Sequence, residues 1–183
     1  MKLLRILYIF YCLPHITFSQ APDITWQNTI GGAGNDEIQS IHQTLDGGYI
    51  LGGYSNSDIS GDKTDDSKGG YDYWIVKLNS FGSIIWQKTI GGNANDILMD
   101  LQLSTDGGYI LGGYSNSDIS GDKTEANIAG SNDYWIVKTN ALGNIEWQNT
   151  IGGAGNDEFH SLDQTADGGY ILGGMSTSHI SGD

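Results

Sequence analysis

Oxygen-bearing side chains crowd one stretch of the chain. Residues 56–66 read Asn56-Ser57-Asp58-Ile59-Ser60-Gly61-Asp62-Lys63-Thr64-Asp65-Asp66. Oxygen donors at alternating positions followed by Gly resemble the start of a calcium-binding loop. The candidate metal ligands are therefore Asp58, Asp62, Asp65 and Asp66, with Asp118 and Asp122 in a second copy. The cofactor this implies is calcium. The pattern is incomplete, because the twelfth position from Asn56 is Ser67 rather than a bidentate Glu, and a later copy puts His179 where Asp58 stands. The competing reading is a solvated polar turn.

Other chemistry has less support. His42, His160 and His179 fall at unrelated positions, and no H-x-x-x-H spacing occurs. Ser and Asp are abundant, but no nucleophile motif organises them. Trp26, Trp74, Trp86, Trp135 and Trp147 next to Asn and Asp would suit sugar stacking. The alternative for these indoles is packing, since a buried Trp supplies a large apolar area. No catalytic residue is assigned.

The N-terminus reads as an address. Lys2 and Arg5 precede an apolar run from Ile6 to Leu13, and Thr17 and Ser19 suit cleavage after residue 19. Residues 1–19 are expected to be a signal peptide, and the product to be secreted or held at the outer cell surface. The run is too short to span a bilayer comfortably, so the mature chain is expected to have no transmembrane segment. Beyond residue 19 all 22 acidic residues remain but only six lysines, a formal charge of −16. Such a surface excludes a phosphate-backbone binder, so no nucleic acid is expected as partner. No Cys remains there, which removes disulfides, thiolate metal sites and Cys nucleophiles.

The aspartates recur because the chain does. WQNTIGGAGNDE at 26–37 returns unchanged at 147–158, with WQKTIGGNANDI at 86–97 between. DGGYILGGYSNSDISGDKT at 46–64 returns at 106–124. The period is 60 residues from Trp26 to Trp86 and 61 from Trp86 to Trp147. Each period holds runs rich in Ile, Tyr, Trp, Val and Thr, centred in the first copy on Trp26, Ile41, Leu51 and Val76. Gly-rich turns such as LDGG and NSFG separate them. No stretch keeps a 3.6-residue apolar period, so no helix is expected after the leader. Both faces of Tyr73-Trp74-Ile75-Val76-Lys77-Leu78 are apolar, as in a sheet covered on both sides. The expected fold is all-β, with β-propeller-type repeats of about 60 residues, four antiparallel strands per blade and about 2.7 blades. The boundaries are 20–183 for the repeats, with blade 1 at 23–82, blade 2 at 83–143 and an incomplete blade 3 at 144–183.

The stretch from Asp72 through Gly112 resembles the bacterial β-propeller repeat family called SBBP. The matching positions are Asp72, Val76, Lys77, Leu78, Gly82, Trp86, Gly91, Gly92, Asp96, Asp106, Tyr109 and Gly112. The resemblance implies a propeller in a secreted or surface protein of a Gram-negative bacterium. It says little about chemistry. The expected function is a non-enzymatic scaffold or recognition surface for an extracellular glycan or protein. The alternatives are a carbohydrate-active enzyme or its accessory domain, and a surface adhesin. The partial blade count implies a partner as well: downstream blades or self-association.

Overall fold

The computed structural model describes residues 23–129 and 131–179. The expected signal peptide lies outside them. The described residues form ten strands and no helix, and therefore no helix that could cross a membrane. The strands are β1 (Asp36–Gln43), β2 (Tyr49–Ser55), β3 (Asp72–Leu78), β4 (Ile84–Ile90), β5 (Asp96–Leu103), β6 (Tyr109–Ser115), β7 (Asp133–Thr139), β8 (Ile145–Ile151), β9 (Asp157–Gln164) and β10 (Tyr170–Ser176). All pairings are antiparallel. Two four-stranded sheets have the orders β1-β2-β3-β4 and β5-β6-β7-β8, and among the described residues β9 and β10 form a two-stranded sheet.

Turn chemistry explains the meander. The β1–β2 turn closes with Thr44 N–H on the Gly48 carbonyl and Gly47 N–H on the Thr44 carbonyl, both at 2.9 Å. Gly47 takes φ +78°, a left-handed conformation that other residues adopt only at a cost. Asp46 Oδ1 accepts from Gly48 N–H at 3.0 Å, the local carboxylate bond that favours Asp in turns. The β3–β4 turn uses Asn79 in the same way, accepting from Phe81 and Ser83 N–H. Both turns recur in the second copy with Asp106 and Asn140.

The strand boundaries correct the sequence reading in two places. The sheets run 36–90 and 96–151, so the cut between units falls at the Gly-rich loop and not between residues 82 and 83. The reason is the tight Asn79 turn, which folds Ile84–Ile90 back onto β3 within one hairpin. The second correction concerns Trp26. The expected strand there is absent: residues 23–35 carry no strand, whereas Ile41, Leu51 and Val76 lie in β1, β2 and β3. The equivalents of residues 24–30 are β4 and β8, and each pairs with a preceding DYWIVK strand. Among the described residues no such strand precedes Trp26.

The sheets stack through side chains that enter glycine positions. Leu98 and Leu101 of β5 lie over Gly52, where a Cβ would sit 2.9 Å from both. Phe159 of β9 lies over Gly112, where a Cβ would sit 2.3 Å from its ring. Gly53 and Gly113 serve a different contact. A Cβ there would collide with the carbonyl oxygens of Glu37 and Ile97 on the neighbouring strand, beside the bulges in β1 and β5. Around these contacts, Ile50, Tyr73, Ile75 and Ile90 pack with Leu98, Leu101, Leu111 and Trp135 in one core. Ile110, Ile136, Phe159 and Leu162 form the next. Tyr73 ties the first two sheets: its hydroxyl donates to the Trp135 carbonyl at 2.8 Å, and its ring lies 4.9 Å from that indole.

Gly112→Ala should lower stability by about 1–3 kcal/mol, because the rigid Phe159 ring cannot retreat from a new methyl. The same change at Gly173, where a Cβ meets nothing nearer than 3.3 Å, should stay within about 0.5 kcal/mol. Urea denaturation of the two variants checks this pair.

Candidate functional site

The oxygen-rich loop is built to receive backbone N–H groups. The Gly-rich loop ahead of β1 offers successive donors to it. Gly31 N–H bonds Asp62 Oδ2 at 3.2 Å, Ala33 N–H bonds Ser60 Oγ at 2.8 Å, and Gly34 N–H bonds Ser57 Oγ at 2.8 Å. Asn35 N–H bonds Asn56 Oδ1 at 2.7 Å. The set repeats one unit on, from Gly91, Asn93, Ala94 and Asn95 to Asp122, Ser120, Ser117 and Asn116. Beneath each loop lies a carboxylate. Asp36 accepts from Gly32 N–H at 2.7 Å and Ser55 Oγ at 2.5 Å, Asp96 from Gly92 N–H at 2.6 Å, and Asp157 from Gly153 N–H at 2.8 Å. Oxygen acceptors spread along the loop are what a turn needs when it must satisfy a run of backbone donors.

Four of the six candidate calcium carboxylates accept backbone N–H groups, and for Asp58 and Asp65 the bond is to the backbone carbonyl. Asp62 and Asp122 take the glycine N–H groups just described, and Asp122 also pairs with Lys68. Asp66 accepts from Ile59 N–H at 3.0 Å and Asp118 from Ile119 N–H at 3.1 Å. Asp65 offers its carbonyl to Lys63 Nζ at 2.6 Å, and the Asp58 carbonyl accepts from Ser60 Oγ. Among the described residues no group of three or more His, Cys, Asp or Glu side chains gathers around one point.

Two buried lysines escaped the sequence reading. Lys63 Nζ donates to Thr89 Oγ1 at 2.7 Å, and Lys123 Nζ to Thr150 Oγ1 at 2.8 Å. Burial pushes both amines below their ordinary pKa, against the pull of nearby aspartates. Their recurrence at one repeat position was the available signal. Asp72 is also buried, with Oδ2 accepting from Ser67 Oγ and Lys68 N–H, both at 2.7 Å. Its Oδ1 is buried against Gly91 with no hydrogen-bond partner among the described residues. Burial raises the carboxyl pKa of Asp72 and of Asp96.

At the other end of the sheets a groove of about 700 Å³ separates the first two units. Leu45, Leu103, Tyr109 and Ala141 give it an apolar lining, and Asp46, Lys77 and Asp106 add charge. Lys77 Nζ meets Asp46 at 2.9 Å, and Lys138 Nζ meets Asp106 at 2.8 Å. Hydrogen bonds from Thr44 and then Lys77 hold the Asp46 carboxyl well below the usual range. The bond from Lys138 does the same for Asp106, to about 2. Burial works against the charge of Lys138, but its bonds to Asp106 and Glu146 outweigh this and raise its pKa. The groove can take a ligand with an apolar face and hydroxyl or amide edges. Trp74 and Trp135 are wholly buried, so packing accounts for them. Trp26, Trp86 and Trp147 lie against Tyr49, Tyr109 and Tyr170, with Trp26 and Trp147 partly exposed.

Compared with known proteins, the chain matches no family model and no curated relative.

The buried carboxyls set a pH dependence. A folded pKa raised above the unfolded value of about 3.9 means the contribution is full below that value and is lost as pH rises through the folded one. Asp72 and Asp96 follow this sense. Asp46 and Asp106 follow the reverse, contributing above about 4 and losing it as pH falls through their lowered values. The urea midpoint should therefore fall as pH rises above about 4, and Asp72→Asn should flatten that fall. An unchanged slope in the variant would remove Asp72 from the account.

Proposed function

We propose that this chain is a secreted or cell-surface protein of SBBP-type β-propeller repeats, acting as a non-enzymatic scaffold that presents a recognition surface to an extracellular glycan or protein. In this reading β1–β4 and β5–β8 are blades, and β9–β10 are the first two strands of a third. One observation carries it. The polar side chains that recur with the repeat are engaged in holding loops and sheets together, while the exposed short turns change from copy to copy. Leu45 stands where the next copies have Thr105 and Ala166, and Phe81 where the next has Leu142. YILGG and DYWIVK do not change between the first two copies. A scaffold with a variable rim has this distribution, and loops on a rigid frame are where recognition is usually placed.

The apolar groove is the place to test. On a panel of polysaccharides and extracellular proteins, the chain should bind without releasing product. Leu45→Asp should weaken that binding on the order of tenfold, the loss of one apolar anchor in a groove. Leu45 is fully exposed, so the variant should keep its stability. Release of a sugar product would replace this reading with that of a carbohydrate-active enzyme.

A further inference from the structure

The repeat sorts the six lysines that follow residue 19. Lys63 and Lys123 share one repeat position and Lys77 and Lys138 another, and all four are buried and bonded within the fold. Lys68 and Lys88 do not recur. Ile128 stands at the position of Lys68, and Asn28 and Asn149 at that of Lys88. Yet both line one cleft of about 680 Å³, between the long loop of the first unit, the end of β4 and the 143–145 turn of the second.

The second unit shows what this place takes. There Glu125 Oε2 accepts from Thr150 N–H at 2.5 Å. Thr89 pairs with Trp74 as Thr150 pairs with Trp135, so the two N–H groups point the same way. The residue at the position of Glu125 is Asp65, one methylene shorter. Lys63 donates to the Thr89 hydroxyl and Lys68 to its carbonyl, at 2.7 and 3.0 Å. Among the described residues no side-chain oxygen takes the Thr89 N–H. Lys68 also pairs with Asp122 of the next unit. Lys88 is half-buried, and among the described residues its amine has no ion pair or hydrogen bond. The first unit thus offers a backbone donor and an ammonium where the second supplies its own carboxylate.

We propose that this cleft binds the carboxylate of a short uronate-containing oligosaccharide. The ligand carboxylate takes the place that Glu125 fills in the second unit, accepting from Thr89 N–H with the Lys88 ammonium beside it. Asp65, Asp66 and Asp122 line the same cleft. They repel a phosphate monoester, which carries nearly two charges. Carboxylates are acceptors only, so the three suit a ligand with several donors close to its own carboxylate. A uronate has hydroxyls on the neighbouring carbons, whereas a peptide C-terminus offers one amide N–H there. Ile59 and Ile145 face its C–H surface. The cleft has the size of a small-ligand site. The proposal rests on the reading above only in placing the chain where glycans are met, and the cleft is separate from the groove at Leu45.

The probe is trigalacturonate, titrated calorimetrically into the full chain with excess EDTA, which removes calcium as a bridge. Saturable one-to-one binding is expected. The fully methyl-esterified trisaccharide keeps the ring hydroxyls and loses the charge, and should bind at least about tenfold more weakly. Lys88→Asn should weaken binding of the acid roughly fivefold to tenfold. Asp65→Glu should weaken it by a similar factor, because the longer side chain reaches Thr89 N–H and competes. Both variants carry residues that the repeat already uses at these positions, so both should fold. Absence of saturable binding, equal affinity for the ester, or an affinity for the acid that Lys88→Asn or Asp65→Glu leaves unchanged would overturn the proposal. So would tighter binding of a peptide with a free C-terminus. The contrast of acid with ester reads this cleft alone, so the proposal and the groove reading can fail separately.

Discussion

A sheet can be covered closely on both faces only if something yields where the next layer arrives, and in this chain glycine yields. Gly52 and Gly112 remove the side chain at the point where Leu98, Leu101 and Phe159 enter. Without that notch the sheets would stand farther apart, and the buried faces of β3 and β7 would lose their contacts. Tyr73 could not then reach the Trp135 carbonyl. The cost of glycine in a strand is conformational freedom and lost packing within its own sheet. The aromatic and branched residues of the adjoining strands offset it from the facing layer.

The same closeness dictates the polar chemistry. The Gly-rich loops at 31–35 and 91–95 run where their backbone donors need partners. Water is replaced there by Asn, Ser and Asp oxygens from the long loop, and by a carboxylate beneath. Asp96 and Asp72 are ionisable groups held in burial, which raises their pKa values, yet each accepts bonds that a neutral hydroxyl could not supply as well. Lys63 and Lys123 meet the reverse problem and meet it with Thr89, Thr150 and backbone oxygen. Much of an acidic chain's repeating charge is thus structural, while its short-turn end keeps a groove with exposed apolar side chains.

The repeat also explains why strand boundaries were the weakest part of the sequence reading. A 60-residue period can be cut at any phase without changing its content. Only the hairpin through Asn79 and Gly82 decides that Ile84–Ile90 belongs with the strands before it. Trp26 shows the consequence. Its segment has the composition of β4 and β8, but a strand exists only where another strand supplies hydrogen bonds.

By itself the sequence determined the all-β content, the period, the turn positions and the apolar double face of Tyr73–Leu78, because these follow from local propensity and the two-residue alternation of side chains. Tertiary structure alone decided the phase of the sheets, the burial of Lys63 and Lys123, and the use of the loop oxygens. Asn56, Asp58, Ser60 and Asp62 alternate as in a cation loop, whereas Asn56, Ser57, Ser60 and Asp62 receive a row of N–H groups. Gly31–Asn35, more than 20 residues away in the chain, is brought opposite the loop only by the fold.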